Sequence, residues 1–271
     1  VSAVMPGAEP FEFRSGSGRG VLLCHGFTGT PHSMRGWGEA FAAAGYDVLC
    51  PLLPGHGTTW QEMNRSTYGD WVAAAEAALA ALRGRNSRIV VGGLSMGGSL
   101  ALRLAQLHPE QVDALVLANP AVLLTDPRVR ALPLVRRLVP SLRGIASDIK
   151  APGRTEVGYD RTPLHALHSQ LRGWREVRAD LPRVRQPLLL ARTAVDHVVP
   201  AASSAAVLAG VSSTDVTEIV YRDSYHVLTL DNDAPAFFAA SVAFAARVLG
   251  TVQDQAVQDR TVRDGTEEAQ R

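Results

Sequence analysis

The chain has 271 residues, 46% of them hydrophobic and 20% charged, a balance that excludes a disordered or fibrous protein and leaves room for one large α/β domain. Its 27 basic and 26 acidic side chains leave a net charge of +1, so no strong field selects nucleic acid or an anionic membrane as a partner. Lys150 is the only lysine and no Gly-Lys pair occurs, which removes the phosphate-binding loop of nucleotide hydrolases.

The first ten residues, Val1 to Pro10, carry no basic region and no apolar stretch, and no later segment offers about 18 unbroken apolar residues; neither a signal peptide nor a membrane span is expected. Phe11–Phe13 reads as an antiparallel edge strand. Gly16-Ser17-Gly18-Arg19-Gly20 precedes a strand instead of joining a strand to a helix, so it is a turn and not a dinucleotide fingerprint. Strands are then expected at Val21–Cys24, Tyr46–Cys50, Arg88–Gly92 and Ala114–Ala118, with helices at Ser33–Ala44, Asp70–Leu82 and Met96–His108 between them. Gly45, Gly84 and Pro109 supply the helix stops.

From Ala121 to about Arg185 the rhythm breaks into Pro-punctuated pieces rich in Arg, Leu and Val. Such a stretch must leave the sheet and return, most simply as a small cap over the C-terminal edge, where open α/β sheets bind ligands. Strands Leu188–Ala191 and Thr217–Tyr221 and helices Ala201–Ala209 and Asp233–Leu249, the latter with Pro235 in its first turn, complete the pattern. The expected fold is α/β, a mostly parallel central sheet with helices on both faces. Residues 1–120 and 186–250 form its core, 121–185 the cap insertion and 251–271 a disordered polar tail. Cys24 and Cys50, both in strands, read as buried free thiols, which fits a reducing cytoplasm.

The chemistry is concentrated in a few runs. Gly93-Leu94-Ser95-Met96-Gly97 directly follows a strand and directly precedes a helix, the arrangement of a nucleophile elbow. The turn is so tight that flanking side chains would clash, hence glycines, and Ser95 is held above the sheet at a helix N-terminus. Strand Val21–Cys24 runs into His25-Gly26-Phe27-Thr28-Gly29, a loop placed to supply one backbone N–H of an oxyanion hole, from Phe27, with the second from Met96. His25 supports that loop.

A serine nucleophile needs a base and an acid, in the chain order Ser, acid, His for this elbow. Of the eight histidines, His226 follows the last strand and is the best base. His197 sits beside the expected acid and could not easily present its ring to it. Asp196, on the loop after strand Leu188–Ala191, is the expected acid, ahead of Asp223 and Asp231, which shape the His226 loop and cap the next helix. His56 reads as a loop residue, His108 as a helix end, and His32, His165 and His168 as surface or cap. There is no His-Glu-x-x-His, and His165-x-x-His168 lacks a third ligand, so no metal and no cofactor are assigned.

With these residues placed, the chain resembles the bacterial monoacylglycerol lipases of the α/β-hydrolase superfamily, near relatives of small bacterial carboxylesterases, over residues 7–249. Gly7-Ala8-Glu9-Pro10-Phe11, His25 to Arg35, Gly55-His56-Gly57-Thr58, Gly93 to Gly98, Asp196 to Pro200 and Ser224 to Asp231 carry the likeness. It implies Ser95, Asp196 and His226 as a catalytic triad, Phe27 and Met96 as oxyanion donors, and hydrolysis of monoacylglycerols to glycerol and fatty acid. It further implies that Ile145 presses on the bound alcohol and Glu156 accepts from glycerol hydroxyls, with Asn119 a weaker candidate for the same pocket. From the residues alone Ile145 would be cap core and Glu156 a solvated charge.

The stretch Leu123–Arg143 departs from the family and is rich in arginine, with Arg128, Arg130, Arg136, Arg137 and Arg143 among Val129, Leu132, Leu134, Val135, Leu138 and Val139. That pattern suits a lid packed over the acyl site, or a transient contact with a lipid surface. The expected partner is a small lipid ester. A broad-specificity carboxylesterase, a non-catalytic binder that keeps the fold, and acyl transfer to an alcohol are the alternatives.

Overall fold

The expected alternation of strands and helices is present in the computed structural model, which describes residues 2–144 and 147–250. The chain folds first through β1 (Phe11–Phe13), β2 (Arg19–Cys24), α1 (Arg35–Ala43), β3 (Asp47–Cys50), α2 (Trp60–Met63), α3 (Tyr68–Arg83), β4 (Arg88–Leu94), α4 (Met96–Leu107) and β5 (Ala114–Ala118). It then adds α5 (Leu132–Leu138), β6 (Ser141–Arg143), β7 (Arg161–Pro163) and α6 (Leu164–Ala179), and returns through β8 (Leu188–Thr193), α7 (Ala201–Gly210), β9 (Val216–Tyr221) and α8 (Ala234–Leu249).

One seven-stranded sheet has the order β1-β3-β2-β4-β5-β8-β9. Only β1 is antiparallel, with Phe11 opposite Cys50; the remaining neighbours pair in parallel. The central strands are apolar on both faces because both are covered. Leu22, Cys24, Ile89, Val91, Leu115 and Leu117 point into the core shared with α3, α4 and α6. Val21, Leu23, Val90 and Val116 point the other way, onto Trp37 and Phe41 of α1 and Phe237 and Phe244 of α8. Each such fully buried aliphatic side chain contributes about 1.5–3 kcal/mol, so the strand ends that carry the chemistry are anchored by a rigid layer.

Helix boundaries differ from the sequence expectation for local reasons. Pro31–Met34 forms a 3-10 turn before α1. The helix expected at Asp70 begins at Tyr68, because Thr67 and Asp70 close a capping box, each side chain accepting from the other's backbone N–H. The inserted stretch is more ordered than its Pro-punctuated sequence suggests: α6 spans 16 residues and β6 pairs antiparallel with β7. Ile145 and the polar tail 251–271 lie outside the described residues.

The sheet order reverses beside β2, since the chain steps from β2 to β3 on one side and continues through β4 on the other. Cys24 and Gly93, each near the C-terminal end of its strand, are register partners there. The crevice above such a switch point is where this class of sheet presents ligands.

Candidate active site

Ser95 occupies the turn between β4 and α4 with φ 56° and ψ −118°, a conformation that costs an L-residue about 1–3 kcal/mol. Three hydrogen bonds hold it: Ser95 N–H donates to the Ala118 carbonyl at 2.9 Å, and its own carbonyl accepts from Gly98 N–H at 2.9 Å and Ala121 N–H at 3.0 Å. The flanking glycines are obligatory. A Cβ on Gly93 would lie 2.1 Å from the Gly97 carbonyl oxygen, and one on Gly97 would lie 1.8 Å from the Cys24 carbonyl oxygen. Among the described residues, the four non-glycine residues with positive φ are Thr28, Ser95, Asn119 and Ser147. Ser95 and Asn119 directly follow β4 and β5, Thr28 stands in the loop after β2 and Ser147 in the cavity wall, the clustering of strain expected at a working site.

His226 and Asp196 meet where β9 and β8 deliver their loops, with Nδ1 of the ring 2.7 Å from Asp196 Oδ2. Asp196 Oδ1 accepts from Val198 and Val199 N–H at 2.8 and 2.7 Å, so the carboxylate is fixed before it touches the imidazole. Burial pushes the Asp196 carboxyl up, but His226 and the two amides outweigh it and hold the acid below its ordinary pKa. Burial alone would lower the pKa of His226. The hydrogen bond and charge of Asp196, joined by the Glu156 and Asp148 carboxylates, outweigh burial and raise it. With Nδ1–H given to Asp196, Nε2 is left as the basic nitrogen. Ser95, 8% exposed, and His226 line one cavity of about 350 Å³.

The loop after β2 forms the opposite wall. His25 is fully buried, with Nδ1 3.0 Å from the Gly26 carbonyl and Nε2 accepting from Leu53 N–H at 3.2 Å; burial pushes its pKa down to about 4. A neutral imidazole with one donor and one acceptor thus ties the loop to the chain after β3. His56 is buried too and packs edge-on to His25 at 4.9 Å. Among the described residues, neither Phe27 N–H nor Met96 N–H has a hydrogen-bond acceptor. Two free amides beside the serine, one of them opening α4, are what an oxyanion requires.

The remaining expected residues divide. Glu156 lines the Ser95 cavity, and burial, countered by His226 and the Ser33 hydroxyl, raises its carboxyl pKa. Asn119 is absent from that lining. It sits behind His226, donating from Nδ2 to the His226 carbonyl at 2.8 Å and accepting from Thr193 N–H at 2.9 Å, so its amide is engaged in bracing the loop. Asp231 accepts from the backbone N–H groups of Lys150, Ala151, Tyr225 and Asn232, and Asp223 pairs with Lys150 at 2.7 Å. Both are occupied in shaping loops. His197 points to Asp148, with Nδ1 at 2.8 Å from Oδ1.

Asp148 is the residue that sequence reading does not single out. Its Oδ2 accepts from the backbone N–H groups of His197 and His226, both at 3.2 Å, which joins the acid loop to the base loop. Leu167, Gln170 and Trp174 of α6 also line the cavity; their helical spacing is the signal that would have found them. Among the described residues no cluster of three His, Cys, Asp or Glu side chains could hold a metal ion, and no helix is long and apolar enough to cross a membrane.

The sequence model of the family described as Hydrolase_4, serine aminopeptidase, S33, matches residues 18–233. A thermostable monoacylglycerol lipase of Bacillus sp. (strain H-257) is 43% identical over 248 residues, 91% of this chain and 98% of its own length. A carboxylesterase of Bacillus subtilis (strain 168) is 25% identical over 83% of this chain and 91% of its own. Among solved structures, one reported for LipS and LipT, two metagenome-derived lipolytic enzymes, superposes with a TM-score of 0.87 at 41% identity, covering 90% of this chain and all of the other. The monoacylglycerol lipase of Paleococcus ferrophilus, at 18% identity, 87% and 96% coverage and a TM-score of 0.74, shares the fold.

Proposed function

This chain belongs to the Hydrolase_4 family of α/β-hydrolases, and from that premise we propose that it cleaves monoacylglycerols to glycerol and a fatty acid through an acyl-enzyme on Ser95. The observation that carries the reading is a strained serine and a carboxylate-held histidine lining one cavity, with a further carboxylate, Glu156, in its wall.

His226 Nε2 takes the Ser95 proton as Oγ attacks the ester carbonyl. The oxyanion accepts from Phe27 and Met96 N–H, an interaction whose loss of one donor costs roughly 100- to 1000-fold in rate. Asp196 stabilises the imidazolium, which then protonates the departing glycerol oxygen, and a water activated by His226 releases the acid. Glu156 accepts from glycerol hydroxyls, while Leu124, Leu167, Trp174 and Val198 give the acyl chain an apolar wall. The family resemblance gives Ile145 the apolar contact with the alcohol. No cofactor enters this chemistry.

Fatty acid release from monolauroylglycerol, beside p-nitrophenyl butyrate, trioleoylglycerol and a Ser95→Ala control, tests the reading. Turnover of the monoacylglycerol with little triacylglycerol hydrolysis and a dead control is expected. Turnover of the butyrate alone gives instead the second reading, a short-chain carboxylesterase, which the Bacillus subtilis relative favours. Glu156→Ala separates the two as well: monoacylglycerol turnover falls at least about tenfold more than p-nitrophenyl ester turnover, as expected when a buried hydrogen-bond partner of the alcohol is removed.

Cys24 and Cys50 are free and buried, which supports residence in the reducing cytoplasm. Leu134 and Leu138, 66% and 81% exposed on α5, stand among arginines and support brief contact of the inserted segment with lipid surfaces. Anionic vesicles should co-sediment the intact protein, and Leu134→Ser/Leu138→Ser should abolish it; no sedimentation of the unaltered protein removes the idea.

A further inference from the structure

Helix α6 separates two cavities. Leu167, Gln170 and Trp174 face the ester cavity, whereas His165, His168, Ser169 and Arg172 face a second cavity of about 540 Å³, and no residue lines both. These are the two sides that a period of 3.6 residues gives one helix. The floor of the second cavity exists because Gly173 has no side chain: a Cβ there would stand 2.1 Å from the Tyr68 ring of α3, so α6 lies directly on the start of that helix.

Four guanidinium groups, Arg65, Arg103, Arg136 and Arg172, and two imidazoles, His165 and His168, line this cavity against a single carboxylate, Glu176. Arg103 is neutralised by Asp180 at 2.7 Å and Glu176 at 3.6 Å. Among the described residues, Arg65, Arg136 and Arg172 have no carboxylate partner. Arg136 donates to His165 Nδ1 at 2.9 Å, and its Nε is buried with no hydrogen-bond partner. Burial first, then Arg136, Arg172, Arg175 and His165, holds the His168 imidazole below its ordinary pKa, as an uncompensated positive field would. The first turn of the 16-residue α3 opens onto the same space. Its Asp70 is turned back onto Thr67 and its Tyr68 N–H is taken by Ser169 Oγ at 3.0 Å.

We propose that this cavity binds a phosphate group, carried by a soluble phosphate or by the headgroup of an anionic lipid. Guanidinium forks match phosphate oxygens in geometry and charge. A fatty carboxylate fits less well, because Val72 and Leu107 are the only aliphatic side chains in the lining and would leave a long acyl chain in water.

Calorimetric titration of the intact protein with sodium phosphate, at ionic strength held constant with sodium chloride, tests this. Saturable uptake is expected, weakened at least about tenfold in Arg65→Gln/Arg172→Gln, a loss of about 1.4 kcal/mol, and unchanged in Arg130→Gln/Arg137→Gln, whose arginines lie outside the cavity. All four side chains are exposed, and unaltered melting temperatures will show that the variants fold. Absence of saturable uptake, or equal weakening in both double variants, overturns the proposal. Where phosphate uptake depends on the cavity, phosphatidylglycerol vesicles identify the source. Sedimentation lost only in Arg65→Gln/Arg172→Gln assigns a lipid headgroup, and sedimentation indifferent to that variant assigns a soluble phosphate.

Discussion

The loops that carry Ser95, Asp196 and His226 differ in kind from the inserted stretch that walls the cavity above them. The Ser95 and Asp196 loops spring from strands buried on both faces and the His226 loop from the edge strand β9, and each of these side chains is held by bonds to the main chain: Ser95 by Ala118, Gly98 and Ala121, Asp196 by Val198 and Val199, His226 by Asp148 and Asn119. The wall contains a seven-residue helix with two exposed leucines and a pair of three-residue strands. Apart from α6, whose Ala166, Trp174 and Val177 are buried in the sheet's core, it touches the lower structure through particular straps, such as Thr30 Oγ1 on the Val157 carbonyl at 2.8 Å and Tyr159 N–H on the Thr28 carbonyl at 3.0 Å. On the proposed mechanism the difference places rate in the sheet and substrate choice in the insertion, since preorganised dipoles lower a barrier only if they cannot relax.

The sharpest way to break that division is to remove the proposed nucleophile. Ser95→Ala should lower kcat by roughly five to six powers of ten on every ester, measured as fatty acid and p-nitrophenol release, with the melting temperature unchanged. Residual turnover well above that level would move the nucleophile elsewhere. Asp196→Asn comes next, at roughly 10⁴-fold in kcat, because an amide at that position can no longer hold His226 in the tautomer that leaves Nε2 basic. A much smaller loss would return Asp223 or Asp231 to consideration as the acid.

The same division explains what could be read in advance. Strands such as Val90–Val91 and Leu115–Leu117 are legible because parallel strands covered on both faces are short, wholly apolar runs. The elbow is legible because sterics leave no alternative to glycine at Gly93 and Gly97. Helix α6 is not. Its buried stripe Ala166, Gln170, Gly173, Trp174 and Val177 has helical spacing, but Gln and Gly interrupt the apolar signal, and Gln170 and Gly173 are there for a cavity and for a close helix crossing. The β6 and β7 pair is illegible for another reason: Ser141 faces Pro163, a distant partner that no local alternation announces. Asn119 shows the limit of resemblance, since a strand-end position near the serine did not reveal which way its amide would bond.

Asp148 tests the junction between the two regions, because it comes from the insertion yet holds both sheet loops. Asp148→Ala should lower kcat about 10- to 100-fold, the cost of stranding charge-assisted hydrogen bonds, with KM for the ester nearly unchanged. Its carboxylate also raises the His226 pKa, so the acid limb of kcat/KM should move to lower pH in the variant. A purely structural role would lower the melting temperature and leave the limb where it was.

The smallest effect is the most discriminating. Glu156 lies in the cavity wall and its charge also helps to raise the His226 pKa above the ordinary imidazole value. On the proposed mechanism the base must be neutral to accept the serine proton, so activity is expected to fall as pH drops through that raised pKa. Glu156→Gln keeps the shape and removes the charge. The acid limb of kcat/KM should therefore shift to lower pH on p-nitrophenyl butyrate, with its plateau changed no more than about threefold, while on a monoacylglycerol the same shift should accompany a rise in KM. An unmoved limb would mean that Glu156 is uncharged or too well screened to be felt at His226. A KM rise of equal size on both esters would mean that it shapes the cavity and does not recognise glycerol.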